Sequence, residues 1–205
     1  SADVDQPVAM FARGVAAEVA SVRAGGWQVG LGVELRGKTL GILGLGAIGS
    51  RVARIAQAFG MHVTAWSQNL TDETANGLGV RRVSKRELLE GSDFLTIHVR
   101  LSERTRGLIG ADDLAAMRPS ARLINCSRGP IVDEAALIAA LREGRLAGAA
   151  IDVFDVEPLP PDHPFRTLPN VLVTPHIGYV TEEMYRTFYG DTVTNLMAWL
   201  DRIAA

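Results

Sequence analysis

The sequence predicts an α/β protein in which helices flank a doubly wound parallel sheet of about seven strands. Three observations predict it. Short apolar runs at Leu40–Leu45, Met61–Trp66, Val80–Val83, Asp93–Val99, Ala121–Cys126, Ala147–Phe154 and Asn170–Thr174 alternate with segments of helical periodicity. The first run empties into Gly44, Gly46 and Gly49, spaced G-x-G-x-x-G, and then into a helical segment. Finally, Arg128, Asp152, Glu157 and His176 lie at or just past the ends of three of these runs. Ligands of open parallel sheets bind at those carboxyl ends.

Taken in order, residues 3–24 read as a helix, with Val8, Phe11, Val15, Val19 and Val22 at helical spacing and Gly25-Gly26 as its stop. The stretch from Trp27 to Lys38 is glycine-rich and irregular. A helix and a loose arm ahead of the first strand have no place in the core of the sheet. Residues 1–36 are therefore read as a linking helix and an arm that contacts a second copy in a homodimer, 37–180 as the dinucleotide-binding domain and 181–205 as a C-terminal helix.

The glycine turn follows from the frame it sits in. Gly44 allows a tight turn, Gly46 leaves room for a pyrophosphate, and Gly49 lets the next helix pack on the strand. That helix, with Ile48, Val52, Ile55, Ala56 and Phe59 recurring, offers N–H groups and a positive dipole end to phosphates. Gly44, Gly46, Ala47, Ile48 and Gly49 thus form the expected cofactor cradle. In a Rossmann unit the second strand ends on an acid that reads the adenosine ribose. Here that point reads Trp66-Ser67-Gln68-Asn69, and the nearest acids, Asp72 and Glu73, fall in the turn beyond. Ser67 removes the repulsion an aspartate presents to NADP, so the cofactor is NAD or NADP.

Ser84 and Glu87 form a capping box that starts a helix ended by Gly91. Helices also read at Ala111–Met117, stopped by Pro119, and at Asp133–Arg142, stopped by Gly144. His98, at the end of the fourth strand, reads as a structural histidine. Thr181 opens a long amphipathic helix with Met184, Phe188, Val193, Leu196, Met197 and Leu200 on its apolar side.

Arg128 lies between the small residues Ser127 and Gly129, and a guanidinium can fork onto a carboxylate; alone it could equally be a surface arginine. His176, constrained between Pro175 and Ile177, can give or take a proton near neutral pH. Glu157 precedes Pro158 in a stiff loop, where a lone carboxylate reads as a solvated acid, although hydrogen-bonded to an imidazole it would stabilise the protonated ring. Asp152 can accept from a carboxamide or cap the end of its strand.

Four motifs, Gly-Leu-Gly-Ala-Ile-Gly at 44–49, Ile-Asn-Cys-Ser-Arg-Gly-Pro-Ile-Val-Asp at 124–133, Ala-Ile-Asp-Val-Phe-Asp-Val-Glu-Pro at 150–158 and Thr-Pro-His-Ile-Gly at 174–178, resemble in order those of the D-isomer-specific 2-hydroxyacid dehydrogenases. The resemblance spans about residues 37–200. It implies hydride transfer between NAD or NADP and C2 of a small 2-hydroxy or 2-oxo acid. Arg128 would hold the acid, Glu157 would pair with His176, His176 would supply or remove the hydroxyl proton, and Asp152 would meet the nicotinamide amide. Motif positions Cys126 and Gly178 fall in the cofactor site with Ser67 and His176. The family also implies an N-terminal substrate domain ahead of these residues, so the chain is expected to begin near the linking helix, in keeping with the missing initiator methionine. A corepressor-like, non-catalytic NAD(H)-sensing module is the alternative. A formate-dehydrogenase-like member carries glutamine where this chain has Glu157.

The 205 residues carry a net charge of −2, which gives no support to nucleic-acid or anionic-membrane partners. The single cysteine excludes an internal disulfide and suits a cytoplasmic protein. No apolar run is long enough for a membrane span, and no metal-binding pattern stands out.

Overall fold

The computed structural model describes residues 6–204. One sheet of seven parallel strands runs through it: β1 (Thr39–Leu43), β2 (His62–Trp66), β3 (Arg81–Arg82), β4 (Phe94–Ile97), β5 (Arg122–Asn125), β6 (Gly148–Ile151) and β7 (Val171–Val173), in the order β3-β2-β1-β4-β5-β6-β7. The chain builds outward from β1 in one direction, then returns to lay β4 on its other side. The carboxyl ends of β1 and β4 therefore flank a crevice at the reversal, which is where such sheets take ligands. Register pairs Leu43 with Trp66 on one side and with Ile97 on the other.

Eight helices are described: α1 (Gln6–Ala12), α2 (Val15–Arg23), α3 (Ala47–Ala58), α4 (Asp72–Asn76), α5 (Lys85–Gly91), α6 (Ala111–Ala116), α7 (Glu134–Arg142) and α8 (Glu182–Ala204). Alternation along the strands divides the core into two layers. Leu43, Leu95, Leu123 and Ile151 meet Leu88, Leu114 and Leu137 of α5, α6 and α7 on one face. Leu40, Ile42, Ile124 and Ala150 meet Val8 of α1 and Val52 and Ala56 of α3 on the other. Truncating a fully buried side chain such as Leu123 or Ile124 to alanine would cost about 2–5 kcal/mol.

Several expectations need correcting. The single helix over residues 3–24 is two helices, because Gly14 takes a left-handed φ of 61° between them; residues 3–5 lie outside the described part. Nor is this segment wholly outside the core. Val8 and Ala12 are buried in the second layer, and Phe11, Val33 and Leu35 pack against it, whereas Val15, Val19 and Val22 of α2 stay exposed. On α3 the buried stripe is Gly49, Val52, Ala53 and Ala56; Ile48 and Phe59 are exposed, because the close fit to β1 selects small residues. Asp72 and Glu73 lie in the first turn of α4, capped by Thr71 Oγ1, rather than in an open turn. The capping box at Ser84 and Glu87 starts α5. The irregular arm leaves Trp27 80% and Leu31 92% exposed, and α8 leaves Phe188, Val193, Leu196, Met197 and Leu200 exposed. No helix among the described residues is long and apolar enough to cross a membrane.

Candidate active site

The crevice at the end of β1 is built by backbone fit. Gly44 takes φ 107°, closed to other residues, and a Cβ there would come within 2.8 Å of the His98–Val99 peptide on β4's exit. A Cβ on Gly49 would overlap the carbonyl oxygen of Gly44, so only glycine lets α3 start this close to the turn. Gly46 differs: nothing in the protein lies within 4 Å of the Cβ it lacks. The space in front of it is open, which is what a phosphate brought up to the backbone needs. Gly46 is the N-cap of α3 and no side chain caps the helix, so the first N–H groups, those of Ala47 and Ile48 included, face that space without intrahelical partners.

Beside this turn, Ser67 Oγ accepts from Leu45 N at 3.0 Å, tying the end of β2 to the glycine turn while its own proton stays available. Among the described residues no acid is hydrogen-bonded to Ser67; Asp72 is 73% exposed and lies 3.4 Å from Arg82. His98 has its Nε2 3.0 Å from Thr96 Oγ1, and burial pulls its pKa down to about 4, so it stays neutral at physiological pH. On the other side of the crevice the Ser127 hydroxyl donates to Val99 O at 2.6 Å, joining the exits of β4 and β5.

A second group of residues gathers at the ends of β5, β6 and β7. Arg128 is exposed just past β5; its carbonyl accepts from the buried Asn125 side chain at 3.0 Å, and its Nη1 donates to Ser127 O at 2.6 Å. Gly129 packs so tightly on the Phe154–Asp155 backbone that any side chain there would collide with it. The Arg128 and Glu157 segments are thus in contact. Glu157 is not a lone solvated acid: Oε1 accepts from Phe154 N at 3.0 Å, and Oε2 lies 2.7 Å from His176 Nδ1. Partial burial pushes its pKa up, but the hydrogen bonds from His176 and Phe154 and the charges of His176 and Arg128 outweigh that and hold the carboxyl below its usual range.

An ionised Glu157 accepts only, so the network assigns the proton on Nδ1 to His176. Nε2 is then the atom that can give or take a proton, and it has no hydrogen-bond partner among the described residues. His176 itself sits at φ 54°, sterically costly for a residue with a Cβ. Asp152 explains how it persists. This aspartate is 3% exposed, and its Oδ1 accepts from Thr174 Oγ1 at 2.6 Å and from Ile177 N at 2.9 Å, while Oδ2 accepts from Gly178 N at 2.9 Å. In this arrangement Asp152 braces the histidine turn, with one lone pair of Oδ2 left over. Thr174, read from sequence only as the end of a strand, is part of that brace. The Tyr179 ring stands edge-on to the His176 ring, centroids 5.6 Å apart. Beside the Glu157–His176 pair a cleft of about 980 Å³ runs along the edge of β7, walled by Phe154, Leu159, Phe165 and Tyr179. Cys126 is no nucleophile: burial, then the Asp152 charge, push its thiol up to about 12. Among the described residues, no group of three or more His, Cys, Asp or Glu is placed to hold a metal.

Comparison with known proteins gives concordant matches. Residues 7–178 match the family model described as "D-isomer specific 2-hydroxyacid dehydrogenase, NAD binding domain". A glyoxylate reductase of Aeropyrum pernix is 48% identical over 176 residues, covering 85% of this chain and 52% of that protein. A D-3-phosphoglycerate dehydrogenase of Methanocaldococcus jannaschii is 45% identical over 175 residues, covering 84% of this chain and 33% of its own length. The crystal structure of a phosphoglycerate oxidoreductase from Vibrio cholerae superposes with a TM-score of 0.93 at 33% identity, over 98% of this chain and 68% of that one. The chain therefore spans about half, or a third, of the curated relatives it matches.

Proposed function

The chain belongs to the family of D-isomer-specific 2-hydroxyacid dehydrogenases, and from that premise we propose that it carries the coenzyme half and the proton-transfer machinery of an NAD(P)-dependent oxidoreductase for small 2-hydroxy and 2-oxo acids. The observation that carries the reading is the Glu157–His176 pair, closed at 2.7 Å, with Nε2 of the histidine unbonded among the described residues and Arg128 alongside. A bound nicotinamide coenzyme supplies or accepts the hydride. Gly46 and the N–H groups of Ala47 and Ile48 would hold its pyrophosphate, Ser67 its ribose, and the Asp152, Cys126 and Gly178 region its nicotinamide end.

In the reducing direction Arg128 would fork onto the substrate carboxylate and aim C2 at the crevice. His176, protonated on both nitrogens, would give the Nε2 proton to the carbonyl oxygen as hydride reaches C2. Glu157 stabilises the imidazolium before transfer and keeps Nδ1 protonated after it, so the neutral ring that remains has Nε2 as its acceptor. In the oxidising direction that neutral Nε2 would take the hydroxyl proton. The exposed arm around Trp27 is read as a contact with a second copy of the chain, and a cytoplasmic setting suits a protein with one unpaired cysteine.

The test is reduction of a panel of 2-oxo acids, glyoxylate and hydroxypyruvate first, with NADH and NADPH, on the protein at its full natural length. Coenzyme oxidation that depends on Arg128 and His176 is expected. Coenzyme binding without turnover of any 2-oxo acid would overturn the catalytic reading in favour of a sensing module.

A further inference from the structure

The loop that carries Glu157 is held from behind by residues outside the set described above. Glu134, the first residue of α7, places Oε2 3.3 Å from Asp155 N and Oε1 3.0 Å from His163 Nε2. It therefore grips the loop on both sides of Glu157. His163 closes the grip with its other nitrogen: Nδ1 accepts from Phe165 N at 3.2 Å and caps the short 3-10 turn Pro164–Arg166. Because Nδ1 accepts, the ring proton lies on Nε2 and points at Glu134. Both side chains are largely buried, 20% exposed for Glu134 and 13% for His163. The His163 ring also packs on Phe165, centroids 4.9 Å apart, and Phe165 on Phe154. Arg166 adds hydrogen bonds to the carbonyls of Leu159 and Pro160 at 2.6 and 2.8 Å. Phe154 is the residue whose N–H holds Glu157.

We infer that Glu134 and His163 form a clasp that positions Glu157, and through it His176, as one unit with the Arg128 segment. Glu134 is suited to join the two segments. Its helix follows Arg128 by way of Gly129–Ile131, and Gly129 already abuts Phe154–Asp155. The charged groups around the clasp are Asp133 at the α7 cap, Asp155 and Glu157 in the loop, Arg106 from the segment after β4, Arg128 past β5 and Arg166 beside His163. Burial, then the Glu134 and Asp133 charges, push the Asp155 carboxyl up against the opposing pull of Arg106 and His163. The Asp155 carboxyl thus crowds Glu134, and Glu134 stays beside it while gripping both the Asp155 N–H and the His163 ring. Neither Glu134 nor His163 needs to touch substrate; both are positioning residues, and their role in turnover rests on the proposed oxidoreductase function.

The test pairs Glu134→Ala with His163→Asn, which keeps an acceptor for Phe165 N–H but is too short to reach Glu134. The tautomer of His176 is read by NMR from its ring nitrogen shifts, identified against a His176→Gln spectrum, and glyoxylate reduction is followed against pH on the full natural length. In both variants the Nδ1–H tautomer of His176 is expected to lose ground to the Nε2–H one as Glu157 loosens. Reduction should slow about tenfold or more, with little change in the KM for coenzyme. Glu134→Gln, which keeps an acceptor oxygen for His163 Nε2–H, should recover most of the rate. Should Glu134→Ala unfold by circular dichroism, His163→Asn carries the same readouts. An unmoved tautomer balance and pH profile in the folded variants would overturn the clasp. Wild-type protein that reduces no 2-oxo acid would instead sink the proposed function, while the His176 tautomer balance would still decide the clasp.

Discussion

His176 Nδ1 lies 2.7 Å from Glu157 Oε2, a contact that joins the loop after β6 to the turn after β7. It sets the ring's two nitrogens apart: Nδ1 is tied to a carboxylate, and Nε2 has no hydrogen-bond partner among the described residues.

Glu157→Gln should move the pH profile of 2-oxo acid reduction. In the proposed mechanism reduction needs protonated His176, and the carboxylate would favour that form. Removing the charge lowers the pH at which the proton is lost, so the limb on which the rate falls with rising pH shifts to lower pH. Initial rates from pH 5 to 9 check this, and an unmoved limb would show that Glu157 does not act through His176.

His98 predicts a sensitivity of the fold to acid. Its pKa in the folded chain is drawn down to about 4 from an ordinary 6.5, so below 6.5 the unfolded chain binds a proton that the native one refuses. Stability is therefore lost as pH falls from 6.5 towards 4, by about 3 kcal/mol in all. His98→Gln, which can keep a hydrogen bond to Thr96, should remove that part of the loss. Urea unfolding of both proteins at pH 7, 5.5 and 4.5 measures the difference.

The glycines of the turn should separate by role. Gly49→Ala forces α3 off the Gly44 carbonyl and should cost about 1–3 kcal/mol of stability. Gly46→Ala meets no protein atom, so the thermal midpoint should hardly change while coenzyme affinity drops. Thermal melts alongside coenzyme titrations decide it; equal losses of stability in the two variants would refute the distinction.

With Ser67 where an acid would stand, both NAD and NADP should bind, and Ser67→Asp should weaken NADP far more than NAD. Titration of each coenzyme by fluorescence tests this. Exclusive binding of NAD by the wild type would show that another group, Asp72 or Glu73 of α4, reads the ribose.

Trp27→Ala should weaken self-association, because the indole is 80% exposed on an arm that the sheet does not cover. Sedimentation at micromolar concentration should find a dimer for the wild type and more monomer for the variant. A wild type that sediments as a monomer would remove the arm's proposed role.

Local pattern carried a long way in this chain. Apolar runs and turn residues placed every strand within a few residues, and Ser84 with Glu87 marked the start of α5, because each signal depends on neighbours a few positions apart. Gly14 was legible in principle as a break but lay inside a stripe of valines whose spacing hid it. The two 3-10 turns went unread, since three residues carry no periodicity. Glu157 stood out only through the family's motifs, since taken singly it read as a solvated loop acid; His176, constrained between Pro175 and Ile177, was legible by itself as a proton-transfer candidate.

The sequence by itself determined the strand–helix alternation, the glycine turn and the residue types placed past the strand ends, all properties of short windows. The tertiary structure alone decided who meets whom across those ends. Of the stripe that periodicity marked on α3 it buried Val52 and Ala56, added Gly49 and Ala53, and left Ile48 and Phe59 exposed, because the distance between helix and sheet sets the size that fits. It spent the Asp152 carboxylate on Thr174, Ile177 and Gly178, and it brought Glu134 of α7 to His163, 29 positions away in sequence. Such partnerships depend on strand order and register, which hydrophobic spacing does not encode, and on desolvation, which makes a buried carboxylate seek whatever donors the fold brings within reach.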